Sequence, residues 1–393
     1  MIWLLIFIVT FYAILIVWLA VGFKKVDTFK EIVTVNKTSF SVIIPFRNEA
    51  ENLPILLKSI AELNYPKELV EFILVDDAST DNSVEIINSF VISNEERGEI
   101  SGDQQVLDTI LRKSEITRTD ICFINNIRTS NSPKKDAITT AISVAKYNWI
   151  VTTDADCILP ENWLQSIDSF IQNTNPKMVV APVNYKAKNN FLEQFQLLDF
   201  MSMQGTTIGG FGMGFPFLCN GANLAYKKED FILLNGFNGN NNIASGDDIF
   251  LFEKFIKADK KSVGYLKSSD AIVTTFPVKT WIDLINQRTR WAAKTGNFSS
   301  LKVKLIGLLV LLTNFVVVYY LLFGSLKMLF IPFVLKIIID LFLFLPTIQF
   351  FKIKSNFYKW YIFASFLYPF FSLLVIFKSL FFKYHWKGRR FKK

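Results

Sequence analysis

The chain has one histidine, His385, in 393 residues, and three cysteines, Cys122, Cys157 and Cys219. A single imidazole cannot build a His-rich metal centre, and it leaves acid–base work to carboxylates. The cysteines are odd in number, far apart and without the paired spacing of a zinc site. Free buried thiols in a reducing compartment are the expectation. Acids are also scarce at the C-terminal end. From Leu301 to Lys393 there are 14 lysines and arginines against the single acid Asp340, a balance of +13 that leaves residues 1–300 at −4 within the total of +9. The positive charge therefore belongs to an apolar stretch, where it suits anionic lipid headgroups. The remainder shows no basic face, so no nucleic-acid partner is expected. No glycine lies between Phe46 and Leu53, which removes the Gly-rich phosphate loop that a nucleotidyltransferase would want after its first strand.

Apolar residues are what the chain has in excess: 51% of it is hydrophobic and 40 residues are phenylalanine. Ile2 to Phe23 carries no charge and is long enough to span a bilayer. It lacks a basic leader and a small-residue cleavage site, so it reads as an uncleaved anchor. Lys24 and Lys25 follow at once and place the next domain in the cytoplasm. Leu305–Phe323, Met328–Phe350 and Trp360–Phe382 are three further runs of spanning length. Three full crossings would leave the tail outside, yet Lys383 to Lys393 holds six basic residues that belong inside. A run that doubles back or lies in the interface would reconcile the two, and Pro369 marks a candidate break. Lys336 and Asp340, four apart in the middle run, fit either a helix-surface pair or a buried functional pair.

Between the apolar runs, strand and helix patterns alternate. Ser39–Pro45, Glu71–Val75, Ile121–Ile124 and the stretch before Asp154 read as strands. Helical spacing follows them, as in Leu53, Leu56, Leu57 and Ile60. That alternation predicts an α/β domain with a mostly parallel sheet and crossover helices. Residues 93–120 read as a polar surface excursion, Phe191–Met203 as helix, and Gly205–Gly214 as a mobile loop near a cleft.

Acids cluster where these strands end. Asp154 and Asp156 follow the apolar Trp149–Val151 run, at the end of a strand where open α/β sheets bind ligands. Hard divalent cations prefer such oxygens; a polar turn is the plainer alternative. Asp76 and Asp77 fit either a helix cap or a contact to a base or ribose. Lys134 and Lys135 fit a solvated pair or a phosphate contact. Asp247 and Asp248 suit the positive end of a helix, or a general base whose pKa is raised by its neighbour. Gln287-Arg288-Thr289-Arg290-Trp291 lies on an amphipathic segment and fits an interfacial helix. The alternative gives Arg290 a departing diphosphate and Trp291 the acceptor.

In their order along the chain, Ile43-Ile44-Pro45-Phe46-Arg47-Asn48-Glu49, Val75-Asp76-Asp77-Ala78-Ser79-Thr80-Asp81, Thr153-Asp154-Ala155-Asp156, Gly246-Asp247-Asp248 and the Gln287–Trp291 segment resemble family 2 glycosyltransferases of GT-A fold. The likeness is to the membrane-bound branch that includes polysaccharide synthases and ceramide glucosyltransferases, and it covers roughly residues 38 to 300. It implies that Pro45, Arg47 and Glu49 line a nucleotide pocket, with Asp77 at the uracil, Lys134 beside the nucleotide and Asp154 near the ribose and sugar. Asp156 would hold Mg²⁺ or Mn²⁺. Asp248 would be the catalytic base, with Asp247 where the family usually has Glu; Pro133 replaces a frequent Gly before Lys134. Gln287, Arg290 and Trp291 would face the acceptor and leaving group.

The resulting expectation is an inverting enzyme moving sugar from a UDP-sugar to a lipid, or to a glycan chain in the case of a processive synthase. A nucleotidyltransferase or a non-catalytic membrane scaffold is the expectation of another class. The domains expected are an anchor over 1–23, a catalytic domain over 38–300, membrane segments over 301–382 and a basic tail over 383–393. Together they make a multi-pass protein among membrane lipids, such as those of a bacterial inner membrane.

Overall fold

The computed structural model describes residues 2–30, 35–92, 121–241, 243–296, 298–324, 326–353, 357–387 and 389–391. The polar excursion expected over 93–120 lies outside them. The chain forms two compact units. A sheet unit comprises Thr28–Val183 and Cys219–Phe276, and a helical unit comprises Met1–Asp27, Asn184–Leu218 and Pro277–Lys393.

The sheet unit is built on β1 (Phe40–Phe46), β2 (Val70–Asp76), β3 (Ile121–Asn125), β4 (Trp149–Thr152), β5 (Met178–Val180), β7 (Leu224–Lys227) and β8 (Val263–Tyr265); β6 (Val183–Tyr185) and β9 (Val273–Thr275) lie outside this sheet. Its order is β3-β2-β1-β4-β7-β5-β8. The β3-β2-β1-β4 block is parallel, β5 pairs parallel with β8, and β7 runs antiparallel between β4 and β5. This is the mostly parallel sheet that the alternation predicted.

Buried on almost every residue, β1 reads as the near-continuous apolar run of a strand covered on both faces. Proline is tolerated at its position 45 because pairing with β4 has already ended at Ile43, with Thr153 N–H donating to the Ile43 carbonyl. The missing donor falls beyond the ladder. Helices follow the parallel strands at Leu53–Ala61, Ser83–Ile92, Pro133–Val144 and Trp163–Thr174, and the first buries the Leu53, Leu56, Leu57 and Ile60 stripe read from sequence. Strand order reverses between β1 and β4, which opens a crevice at their carboxyl ends.

Asn223 is fully buried and clamps three segments together. Its amide donates to the Pro182 and Ala271 carbonyls at 2.8 and 2.7 Å and accepts from Trp163 Nε1 at 2.9 Å.

In the helical unit, four helices among the described residues are long and apolar enough to cross a membrane: Leu5–Lys25, Leu301–Phe323, Ile331–Phe350 and Tyr358–Phe381. The N-terminal helix buries Ile8, Tyr12, Ile16, Leu19 and Phe23 along one stripe, while Phe7, Phe11, Ile14 and Val21 are exposed. Aqueous solvent gives no reason for that second, apolar face; lipid does.

Two expectations fail here. Gly205–Gly214 is not a loop, because the helix that begins at Phe191 runs on to Gly212. Its glycines serve close packing: a Cβ at Gly209 or Gly212 would overlap the backbone carbonyl of Leu19 or Gly22, and one at Gly205 would lie 2.5 Å from Thr347 Oγ1. Small residues let helix backbones meet in this way. Pro369 does not break its run either, since it lies inside a continuous helix over Phe357–Phe381. The Lys336–Asp340 pair turns out to be buried, with 2.5 Å between Nζ and Oδ2. An amphipathic helix, Trp281–Thr295, is capped by Thr280, and the Tyr384–Trp386 strand of the C-terminal hairpin packs on it.

Candidate active site

The loops that leave β1 and β2 are tied to each other. Arg47 Nη1 donates to the Asp77 carbonyl at 2.5 Å and also to the Ala78 carbonyl. Asn48 N–H donates to Ser79 Oγ, Glu49 N–H to Ser83 Oγ and Ala50 N–H to Asp81. Asn48 and Ala78 take left-handed backbone angles, φ 53° and 57°, which is uncommon for residues with a Cβ and is sustained here by these cross-links. Pro45 is half-buried within β1; Glu49 is buried and accepts from Asn52 Nδ2 at 2.6 Å.

The two acids at the end of β2 have different partners. Asp76 accepts from Ser79 N–H at 3.0 Å and so shapes the turn. Asp77 is held from the side, by Asn126 Nδ2 at 2.7 Å and the Arg128 guanidinium at 3.5 Å. Neither Asn126 nor Arg128 was singled out from sequence; their signal was position just past the carboxyl end of β3, in line with Asp77. Arg128 also reaches Asp136 at 3.2 Å, and Asn126 donates to the Pro133 carbonyl. Burial opposes ionisation of Asp136, but hydrogen bonds from Ser130 and Thr129 outweigh it and hold the carboxyl below its usual range.

The Lys134–Lys135 doublet is not a solvated pair. Lys135 is buried and donates to the Asn240 and Ile243 carbonyls at 2.8 and 2.9 Å, pinning the loop that leads to Gly246. Lys134 Nζ lies 2.5 Å from Asp154 and 3.2 Å from Asp247. One ammonium thus joins two motifs that are 93 residues apart in sequence. Burial would depress its pKa, but the Asp154 and Asp247 carboxylates overcome that and raise it.

Gly246, at φ 84°, starts the Asp247–Asp259 helix, so both acids occupy its first turn, where the helix dipole favours negative charge. Asp248 accepts from Ile249 N–H at 2.7 Å and Gly221 N–H at 3.3 Å. The Gly221 carbonyl in turn accepts from Thr152 Oγ1 at the end of β4. A Cβ on Gly221 would stand 3.2 Å from Asp248 Cβ and 3.3 Å from Asp247 Oδ2. Gly221 is therefore a third residue that sequence reading passed over.

Asp156 is half-buried and its Oδ1 lies 3.8 Å from Cys157 Sγ. Burial and the neighbouring carboxylates push the Cys157 thiol well up, so it stays protonated; no disulfide joins the three cysteines. Among the described residues no group of three or more His, Cys, Asp or Glu side chains could hold a metal by itself. Two carboxylates one residue apart nonetheless fit the way hard cations bind, through one or two carboxylates plus substrate phosphate and water.

Gln287, Arg290 and Trp291 belong to the helical unit, on the Trp281–Thr295 helix. Arg290 and Trp291 are half-buried there. The buried cation of this segment is Arg288, which sequence analysis assigned no role. It donates to Asp199 Oδ2 at 2.5 Å, stacks on Trp291 at 4.2 Å and also donates to Gln287 Oε1.

Comparison with known proteins matches residues 41–102 to the glycosyl transferase family 2 model and residues 106–392 to the glycosyl transferase family 21 model. The chain is 24% identical over 166 residues to the poly-beta-1,6-N-acetyl-D-glucosamine synthase of Staphylococcus epidermidis, covering 42% of this chain and 33% of that one. It is 26% identical over 145 residues to glycosyltransferase GlyG of Streptococcus pneumoniae, covering 36% of this chain and 38% of that one. The chain thus spans little more than a third of the length of these relatives. Among solved structures, the mannosyltransferase PcManGT of Pyrobaculum calidifontis, in complex with GDP-Man and Mn²⁺, is similar at a TM-score of 0.54 and 17% identity, over 94% of this chain and 97% of that one. That likeness is one of fold.

Proposed function

Since the chain belongs to glycosyl transferase family 21, we propose that it moves a sugar from a nucleotide sugar, a UDP-sugar, to a membrane-associated lipid, with inversion at the anomeric carbon. The observation that carries this reading is Lys134 between Asp154 and Asp247, which gathers the acids of two motifs around one cation. Asp77, steadied by Asn126 and Arg128, is the contact for the base, and the cross-linked loop of Pro45, Arg47 and Glu49 borders the nucleotide. Lys134 shares its charge with the incoming diphosphate, and Asp154 turns to the ribose and sugar. Asp248 takes the proton of the acceptor hydroxyl as that oxygen attacks the anomeric carbon. The bond from that carbon to the diphosphate breaks, and UDP leaves with the electron pair. For Gln287, Arg290 and Trp291 the family resemblance alone supports roles toward the acceptor and the leaving group.

Asp156 would hold the Mg²⁺ or Mn²⁺ ion, which when bound supplies Lewis-acid charge to the diphosphate. Apolar helices of spanning length support a multi-pass membrane protein with the sheet unit in the cytoplasm, as Lys24 and Lys25 indicate. The likeness to a polysaccharide synthase supports a second reading, in which transfer repeats and the product is a polymer.

The test is sugar transfer in isolated membranes. Asp248→Asn should lower UDP release by about 10²–10⁴-fold while donor binding persists; unchanged release would remove Asp248 from the base role. Lipid mass spectrometry separates the acceptors. A new hexosylated lipid supports the first reading, and polymer over an unchanged lipid pool supports the second.

A further inference from the structure

Three consecutive residues at the start of the Pro133–Val144 helix reach three different segments. Lys134 contacts Asp154 and Asp247, Lys135 donates to the Asn240 and Ile243 carbonyls, and Asp136 accepts from the Thr129 and Ser130 N–H groups at 3.2 and 3.0 Å. Successive helical residues point about 100° apart, so a single turn serves all three. Sugar transfer as proposed engages Lys134 and not Lys135.

Lys135 is 1% exposed, and an ammonium withdrawn from water is costly unless its donors are satisfied. An apolar side chain would fill the space at less cost, but it would take this donor away from the two carbonyls. The ammonium grips the chain on both sides of the acid pair. Before the acids it holds residues 240 and 243; after them it lies 5.1 Å from the ring of Phe250. That ring covers Gly246, where a Cβ would stand 2.6 Å from Phe250 Cε2. Asp247 and Asp248 lie between the two grips, in the first turn of their helix.

Lys254 grips the same loop earlier, donating to the Gly236 and Asn238 carbonyls at 2.6 and 2.9 Å. It belongs to the same helix as the acids, so it leaves loop and acids free to shift together. Lys135 instead comes from the helix that carries Lys134. We infer that Lys135 is a positioning residue: through residues 240–243 and Phe250 it sets where the Asp248 carboxylate stands relative to Lys134 and the sugar donor. The inference rests on the reading of Asp248 as the base.

The experiment measures UDP release and UDP binding by the full chain in lipid nanodiscs, for wild type, Lys135→Met, Lys135→Gln, Asp248→Asn and the double variant Lys135→Met with Asp248→Asn. Met keeps the stem and removes every donor, whereas Gln keeps two N–H donors. Lys135→Met should lower kcat per UDP-binding site about tenfold through a small displacement of the base. KM for the UDP-sugar and affinity for UDP should change by less than about twofold, and Lys135→Gln should recover part of the loss. In the Asp248→Asn background Lys135→Met should slow release no further, because residues that act as one unit are not additive. A full-rate Lys135→Met, an equal loss in both backgrounds, or loss of UDP binding by both single Lys135 variants overturns the inference; the last would place Lys135 in the donor site or in the fold at large. The proposed function fails differently, by a wild type that releases no UDP or an Asp248→Asn variant that keeps its rate. Hydrogen exchange tests the tie in that case as well. Lys135→Gln should speed exchange in peptides covering residues 240–250 about tenfold, with peptides from β1 and β4 unchanged, and unchanged exchange over residues 240–250 overturns the inference.

Discussion

In the sheet unit one ammonium, Lys134, serves two carboxylates, Asp154 at 2.5 Å and Asp247 at 3.2 Å, with Asp248 next in sequence. In the helical unit two buried cations each have their own acid, Lys336 with Asp340 and Arg288 with Asp199. The first arrangement keeps spare negative charge beside a crevice and suits partners that exchange, such as a cation arriving with a diphosphate. The second is charge-neutral and buried, a form that limits the cost of taking ions out of water. Asp154 keeps 37% of its side-chain surface exposed, against 8% for Asp199. Like ingredients therefore produce a more open cluster in one unit and a buried one in the other.

The contrast breaks most visibly at the closed pair. Asp340→Ala leaves Lys336 buried without its carboxylate and should cost about 3–5 kcal/mol of stability, read as a loss of thermal midpoint in detergent. The double variant Lys336→Met with Asp340→Leu should regain most of that loss. A double variant no better than the single would show that the pair is not closed as described.

Gly221→Ala addresses the open cluster. Its Cβ would meet Asp248 Cβ at 3.2 Å, and a shift of a few tenths of an ångström in the acids should slow transfer by about tenfold with little change in melting. A wild-type rate would mean that the acids do not need their present spacing.

The smallest effect concerns pH. The Asp136 carboxyl is held below its usual range, so its stabilising contribution is present above the unfolded pKa of about 3.9 and disappears as pH falls through the lower folded value. Asp136→Asn should destabilise the protein by about 1–3 kcal/mol at neutral pH, and the gap to wild type should narrow in melts below about pH 4. A gap that stays constant into acid would mean the carboxylate form is not the one that matters.

Much of the candidate site was legible before folding, because parallel strands announce themselves as apolar runs and their carboxyl ends as acids: Asp77 after β2, and Asp154 and Asp156 after β4. Asn126 and Arg128 carry no such pattern, since they gain meaning only from lying beside Asp77. Gly205–Gly212 was misread because glycine lowers helix propensity in any local reading, whereas here it is the price of close packing against the N-terminal helix. Pro369 was misread for the same reason, a local rule set aside by its surroundings.

Order along the chain was enough to determine the alternating strands and helices, the spanning length of the apolar runs, and which acids end which strands. Those are properties of short windows, where periodicity and side-chain chemistry act on neighbours in sequence. Tertiary structure alone decided that Lys134 joins Asp154 to Asp247, that Gly221 stands against Asp248, and that Lys336 and Asp340 are buried rather than on a surface. Each depends on which faces of distant segments meet, and burial, which sets the strength of every charge involved, exists only once they do.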